Sequence, residues 1–415
     1  MQRNYFIVVL IFFIFFVISF LTNIIGPLVP EVIKGFNVSK GMAGLLNFSF
    51  FIAYGVMSIP AGILTEKYKE KKMITAAFIL ATAGALLFSF FPSFGIYLIS
   101  LFLIGLGMAI LQVAINPLLR VSGGEEHFAF SSVLAQLFFG GASFLSPLMY
   151  SYLVTNLSTG NTSNLLLSTL DGIVPENLKW VSIYWIFAVI AFAMVLIVLA
   201  SKFPKVELKE DEKVGNFGII KELLKNKTVI LFFFGIFAYV GSEQGVASWI
   251  SKFLSDYHGM NPEVEGAKAI SMYWGMLTVG CILGLGLLKL IDSKLVLRIF
   301  SIAAMISLAT ALLTGNGMTA YYGFIGVGFF ASVMWSVIFS LALNSIKSNH
   351  GAFSGILCSG IIGGAIVPLI VGVLSDYIGL RGGMAFVFIT LTYILSISFW
   401  AKPLIKNKTI SFRSE

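Results

Sequence analysis

Of the nineteen acidic residues in this sequence, only Glu243 stands deep inside an apolar run, in Tyr239-Val-Gly-Ser-Glu243-Gln244-Gly245. The other eighteen fall in polar segments or at the ends of apolar ones, no Lys or Arg is equally deep, and His127, His258 and His350 lie at segment edges. A carboxylate in apolar surroundings is costly unless it is protonated, paired or facing water. The chemistry open to Glu243 is therefore proton exchange, help in holding Na⁺, or service as a structural acceptor in a helix that Gly241 and Gly245 would kink. Amides form the second set: Asn23, Asn47, Gln112, Asn116, Gln136, Gln244 and Asn344 fall in apolar stretches that also carry Tyr54, Trp249, Tyr273, Trp274 and Trp335. Amides supply donors and acceptors and aromatic rings a flat apolar face, a combination that suits a small neutral polyhydroxylated ring such as a sugar. Any one of these amides is explained as well by bonding between helices.

The same census excludes other chemistries. An organic anion crossing apolar surroundings needs a fixed cation beside it, and none is placed for that, whereas a cationic solute could use Glu243. No HExxH, Gly-x-Ser-x-Gly or cluster of acids proposes an enzyme, and no catalytic residue is expected. Cys281 and Cys358 both fall inside apolar runs, so neither a disulfide framework nor a thiolate metal site is expected, and no cofactor is implied beyond a coupling ion, H⁺ or Na⁺.

The elements that must position these residues are membrane helices. Of 415 residues 58% are hydrophobic and 11% charged, against about a quarter charged in soluble chains. Apolar runs near the ~20 residues needed to cross a hydrocarbon core are predicted at 5–30, 42–64, 72–91, 95–119, 128–154, 180–200, 227–254, 267–291, 295–314, 319–343, 351–378 and 382–403. The first follows Gln2-Arg3-Asn4, is too long for a signal-peptide core and has no small-residue cleavage site after it, so it reads as a retained helix. On this count Glu243 lies ~24 Å into the seventh helix at 1.5 Å per residue. With both termini cytoplasmic, 21 of the 27 Lys and Arg fall inside and 6 outside, the bias expected of a multi-pass protein of the cytoplasmic (inner) membrane. The net charge of +8 is scattered over short loops without a continuous stripe, so the bilayer and not nucleic acid is the expected partner, and the expected state is a monomer.

The longest cytoplasmic charged stretch, Lys202 to Lys227, divides the chain into an expected six-helix bundle at 1–200, a linker at 201–226 and a second six-helix bundle at 227–415. Offset by 223 residues, His127-Phe-Ala-Phe-Ser131 aligns with His350-Gly-Ala-Phe-Ser354, Leu134 with Leu357, and Gly140-Gly141-Ala142 with Gly363-Gly364-Ala365, so that eight of sixteen positions agree without a gap. Both segments open the fifth helix of a half, as in folds duplicated about an axis along the membrane normal. Small residues here and at Gly105-Leu-Gly107 let backbones approach closely and permit rocking, although packing alone also accounts for them. Glu66-Lys67, with Lys69-Glu70-Lys71-Lys72 after it, is a candidate gating loop by position, and an ordinary solvated loop as a bare charge cluster.

With these residues in view, the chain resembles the fucose permease (fucose-galactose-glucose:proton symporter) family of the major facilitator superfamily. The resemblance covers most of the sequence and is carried by Ile59-Pro60-Ala61-Gly62-Ile63-Leu64, Gln112-Val-Ala-Ile-Asn116-Pro117, Leu134-Ala135-Gln136, Tyr239-Val240-Gly241-Ser242-Glu243, Ile338-Phe339-Ser340-Leu341 and Ile361-Ile362-Gly363-Gly364. It implies an all-α membrane protein of twelve transmembrane helices in two six-helix bundles, carrying a hexose or related sugar inward. Members usually hold one carboxylate four residues before the proline matching Pro30 and another just ahead of Ala-x-Asn-Pro, where this chain has Gly26 and Gln112. An amide carries no proton, so the family's usual coupling route is missing and Glu243 is the remaining candidate.

The expected site therefore comprises Gln112, Asn116, Gln136, Asn23 and Asn47 from the first half and Gln244, Trp335 and Asn344 from the second, with Glu243 for coupling and Glu66 and Lys67 at a gate. The competing reading is a proton-coupled exporter of drugs or other small organic molecules. That class would carry a buried Arg in the fourth helix and a Gly-Pro-rich fifth, whereas Arg120 lies at a helix end and Ser146-Pro147 sits in a different pattern.

Overall fold

A chain that lies in hydrocarbon must satisfy its backbone hydrogen bonds internally, which leaves helices as the economical element. The computed structural model describes residues 5–123, 128–160, 164–204 and 217–404; the side chains of Asn116 and Arg120, together with His127 and residues 205–216 of the expected 201–226 linker, lie outside the described residues. The spans are α1 (Tyr5–Phe36), α2 (Lys40–Tyr68), α3 (Glu70–Phe90), α4 (Phe94–Gly123), α5 (Phe128–Ser158), α6 (Glu176–Ala200), α7 (Lys227–Ala247, with Ile250–His258 beyond a break), α8 (Ala267–Leu290), α9 (Ser293–Leu313) and α10 (Gly317–Leu343). His350–Trp400 follows as one apolar stretch of 51 residues. At 1.5 Å per residue it would reach ~76 Å, more than twice a ~30 Å hydrocarbon core. Gly379, at φ 77° and ψ 161°, breaks it into α11 (350–378) and α12 (380–400), so that twelve passes are made from eleven apolar stretches.

Local chemistry sets the helix ends. Ser39, Asn226, Asp292 and Asn316 are N-caps whose side chains accept backbone N–H groups of the first turn, as short oxygen-bearing side chains do. Inside α1 the chain breaks at Asn23–Ile24, because Pro27 has no N–H to offer the carbonyl of Asn23. The break in α7 falls at Ser248–Trp249, not at Gly241 or Gly245 as expected. A Cβ on Gly241 would collide with Val367, and one on Gly245 would lie 3.0 Å from it, so both glycines serve close packing against α11.

The most extensive pairings join spans within the first six or within the last six, with two exceptions: α2 packs along α11, and α5 along α8. The repeated glycines sit on these two seams. A side chain at Gly140 would collide with Thr278 of α8, and one at Gly364 would lie 3.0 Å from the Phe51 ring of α2. On one side of the molecule, called here the basic end, the α2–α3 and α8–α9 turns carry Lys67, Lys71 and Lys294; the opposite end carries the α1–α2 and α7–α8 turns.

Candidate functional site

A cavity of about 760 Å³ lies between the first six spans and the last six. It is lined by Asn23 of α1, Tyr54 of α2, Gln112 of α4, Gln136 of α5, Glu243 and Gln244 of α7, Trp274 of α8, and Trp335 and Asn344 of α10. Leu288, Leu343 and Asn344 carry the lining down to the basic ends of α8 and α10. Toward the opposite end the helices close: Ser248 donates to Asn47 Oδ1 at 3.1 Å, Trp249 Nε1 to the Pro368 carbonyl at 3.3 Å, and Lys40 Nζ stands 3.8 Å from Asp256.

Seven of the eight expected binding residues have described side chains, and six of these line the cavity; the side chain of Asn116 lies outside the described residues. Asn47 does not line the cavity. It is fully buried in the seal between α2 and α7, with its Nδ2 left without a hydrogen-bond partner among the described residues. Trp249 and Tyr273 are likewise buried away from the cavity. Asn23 does line it, yet its Nδ2 is spent on Ser143 Oγ at 2.8 Å and Ser19 Oγ at 3.3 Å, so this amide also ties α1 to α5.

Glu243 opens onto the cavity. Tyr239 lies one turn earlier on the same helix face, and its hydroxyl donates to Oε2 at 2.5 Å while Gln244 Nε2 donates to Oε1 at 3.3 Å. The Tyr239 ring sits 5.9 Å from that of Trp335, which stacks on Phe339 at 5.7 Å and 23°. The carboxylate is thus oriented by two neutral donors, and among the described residues no cation forms an ion pair with it. It can take up a proton or a small cation without first breaking a salt bridge.

Trp274 and Ser332 also belong to the lining. Trp274 Nε1 and Ser332 Oγ are buried at the cavity wall with no hydrogen-bond partner among the described residues. A buried polar group left in this way costs about 1–3 kcal/mol. Trp274 stood in the sequence only as an aromatic face; nothing in an i, i+4 pattern tells which edge of an indole will be left over. Cys281 also lines the cavity, its thiol 3.2 Å from the Ser332 carbonyl.

Gly26, where the resembling family holds a carboxylate, presses on the backbone of α7. A Cβ there would lie 2.5 Å from the Ala247 carbonyl oxygen, so this packing leaves no room for any side chain. At the expected gate, Glu66 is half-buried and Lys67 exposed, its ammonium 5.2 Å from the Tyr68 ring. From this turn Lys71 reaches another span: its Nζ donates to the carbonyls of Leu199 and Ser201 at 2.8 and 2.7 Å and so caps the end of α6.

Comparison with known proteins agrees with this architecture. The profile of the Major Facilitator Superfamily matches residues 11–361. A glucose/galactose transporter of Brucella abortus is 31% identical over 95% of this chain and 93% of its own, and the L-fucose-proton symporter of Escherichia coli K12 is 25% identical over 88% of this chain and 86% of its own. Among solved structures, the E. coli fucose:proton symporter superposes with a TM-score of 0.68 at 23% identity, covering 95% of this chain and 98% of that one. A bacterial homologue of the human lysosomal transporter Spinster, in an inward-facing conformation, superposes with a TM-score of 0.79 at 16% identity over 97% and 98%. At these identities the solved structures speak to fold alone. By sequence match, helix count and shared fold, this multi-pass membrane chain belongs to the Major Facilitator Superfamily, in the branch of the glucose/galactose and fucose–proton transporters.

Proposed function

We propose that the protein carries a small neutral sugar, most simply a hexose, inward across the cytoplasmic membrane by alternating access. The observation that carries this reading is the chemistry of the cavity wall: amides of Gln112, Gln136, Gln244 and Asn344 and the rings of Trp335 and Trp274 converge on one space. That set matches a ring of hydroxyls over an apolar face, and it offers no fixed cation for an anionic solute. The names borne by the relatives point to the same class of cargo.

In this reading residues 1–200 and 227–415 are two six-helix bundles that rock about the cavity, joined by 201–226. The 21-to-6 distribution of Lys and Arg puts the basic end in the cytoplasm, so the cavity opens inward here and the Asn47–Ser248 and Trp249–Pro368 contacts close the outer gate. Glu66 and Lys67 lie beside the inner gate. Glu243 couples transport to H⁺ or Na⁺ in place of the family carboxylates missing at Gly26 and Gln112.

The test is a thermal-shift screen of the purified protein against neutral monosaccharides, with and without Na⁺ and across pH, since a ligand that binds the folded state raises its apparent stability. A rise with one or a few hexoses, absent with organic cations, is expected. Stabilisation by lipophilic cations alone, with every sugar silent, would transfer the cavity to an exporter of drugs.

A further inference from the structure

A second cavity, of about 520 Å³, lies at the basic end, outside the cargo cavity but sharing Ser340 and Asn344 with it. Three basic side chains from two separate stretches of chain line it: Lys294 and Arg298 from the first two turns of α9, and Lys402 just past α12. Arg298 is held by cation–π contact with the Phe399 ring, 4.2 Å from its guanidinium carbon, and its Nε lies 3.4 Å from Ser398 Oγ. Lys294 Nζ donates to the Ala401 carbonyl at 2.8 Å, and the Leu404 N–H donates to the Asn344 carbonyl at 2.6 Å, so the segment bearing Lys402 is tied down on both sides.

The charge in this pocket is not answered from within. Its one carboxylate, Asp292, is engaged as the N-cap of α9, accepting the N–H groups of Lys294 and Leu295. Among the described residues no ion pair joins Lys294, Arg298 or Lys402 to an acid. Two cations held in place and a third, the exposed Lys402, on a tethered segment beside them, with a single acid turned to capping, form a ready receptor for an anion that brings several acceptor oxygens. The surroundings indicate where that anion comes from. Leu295 is 42% exposed, Phe399 61% and Leu404 60%, an apolar rim beside the basic hollow at the ends of two spans, where head group meets acyl chain.

We propose that this pocket binds a phosphate-bearing anion, which in the membrane is the head group of an acidic phospholipid of the adjoining leaflet. Because Ser340 and Asn344 form a wall common to both cavities, an occupant here also steadies the end of α10 at the mouth of the cargo site.

The experiment titrates the full-length protein in neutral detergent with phosphatidylglycerol, phosphatidylcholine or inorganic phosphate, following thermal unfolding and counting retained lipid by native mass spectrometry. Phosphatidylglycerol should raise the melting temperature saturably while phosphatidylcholine does not. The half-saturating concentration should rise about fivefold in Arg298→Gln and in Lys402→Gln, the size expected for losing one basic contact. Lys402 is exposed, so its variant folds even if Arg298→Gln does not, and Arg298→Lys should recover most of the affinity. If inorganic phosphate at micromolar concentration gives the same Arg298-dependent shift, the phosphate site stands and the lipid source is overturned. Equal responses to the two lipids, or identical phosphatidylglycerol titrations for wild type and Lys402→Gln, overturn the site itself.

Discussion

The carboxylate of Asp376, near the end of α11, accepts the backbone N–H of Gly41 at 2.8 Å and of Lys40 at 3.0 Å, capping the first turn of α2 from across the molecule. Gly41 permits the approach, because a Cβ there would sit 2.7 Å from Asp376 Oδ2. A carboxylate at a helix N-terminus meets unpaired N–H groups and the positive end of the helix dipole. The bond joins the two helices whose separation would open this end.

Asp376→Ala should therefore weaken the seal at this end by about 1 kcal/mol, the usual worth of an N-cap, and raise the population open at this end about fivefold. Spin labels at the exposed positions Asn37 and Tyr377 would report longer distances in electron paramagnetic resonance. Distance distributions unchanged from wild type would show that the cap does not hold the gate.

Glu243→Gln should abolish uphill accumulation in proteoliposomes while leaving sugar exchange intact, because an amide keeps the shape and one acceptor but carries no proton. The same variant should make exchange indifferent to pH. Gradient-driven uptake at wild-type level would remove Glu243 from coupling and leave it as an acceptor for Tyr239.

Trp335→Ala should weaken sugar binding about tenfold, from the worth of a stacked ring. Isothermal calorimetry on the purified variant gives the number. If Trp335→Ala binds as tightly as wild type, this indole face is not a cargo surface.

Gly105→Ala should destabilise the protein by about 1–3 kcal/mol, as overpacking does, since the added Cβ would collide with the Phe50 carbonyl oxygen of α2. Backbone cannot swing aside as a side chain would. Gly95, on the same helix with nothing within 4 Å of its missing Cβ, is the control, and Gly95→Ala should be neutral or slightly stabilising. Matching melting temperatures for the two variants would refute the close-approach account.

Gly26→Asp, which restores the carboxylate of the resembling family, should fail to restore its coupling and should lower stability, because the Ala247 carbonyl of α7 occupies the space. Steady-state accumulation in a double variant that combines Gly26→Asp with Glu243→Gln is the decisive reading; recovery there would show that α1 and α7 can part at this point.

The spans, their number, the repeated small-residue segments and the one deep acid were legible in the sequence, because in a bilayer each helix satisfies its own backbone and its apolar length is a local property. What faces the cavity was legible only in part, because the rotation of each helix is fixed by neighbours distant in sequence. Asn47 and Gln244 are both amides in apolar runs, yet α2 turns the first into the seal and α7 turns the second toward the cavity. Tyr239 and Glu243 fell on one face by helical period alone. The break at Ser248–Trp249, the pressing of Gly26 on α7, the unbonded Trp274 N–H and the basic pocket joining Lys294 to Lys402 were decided by tertiary packing, which sets which groups are left without partners once the helices have met.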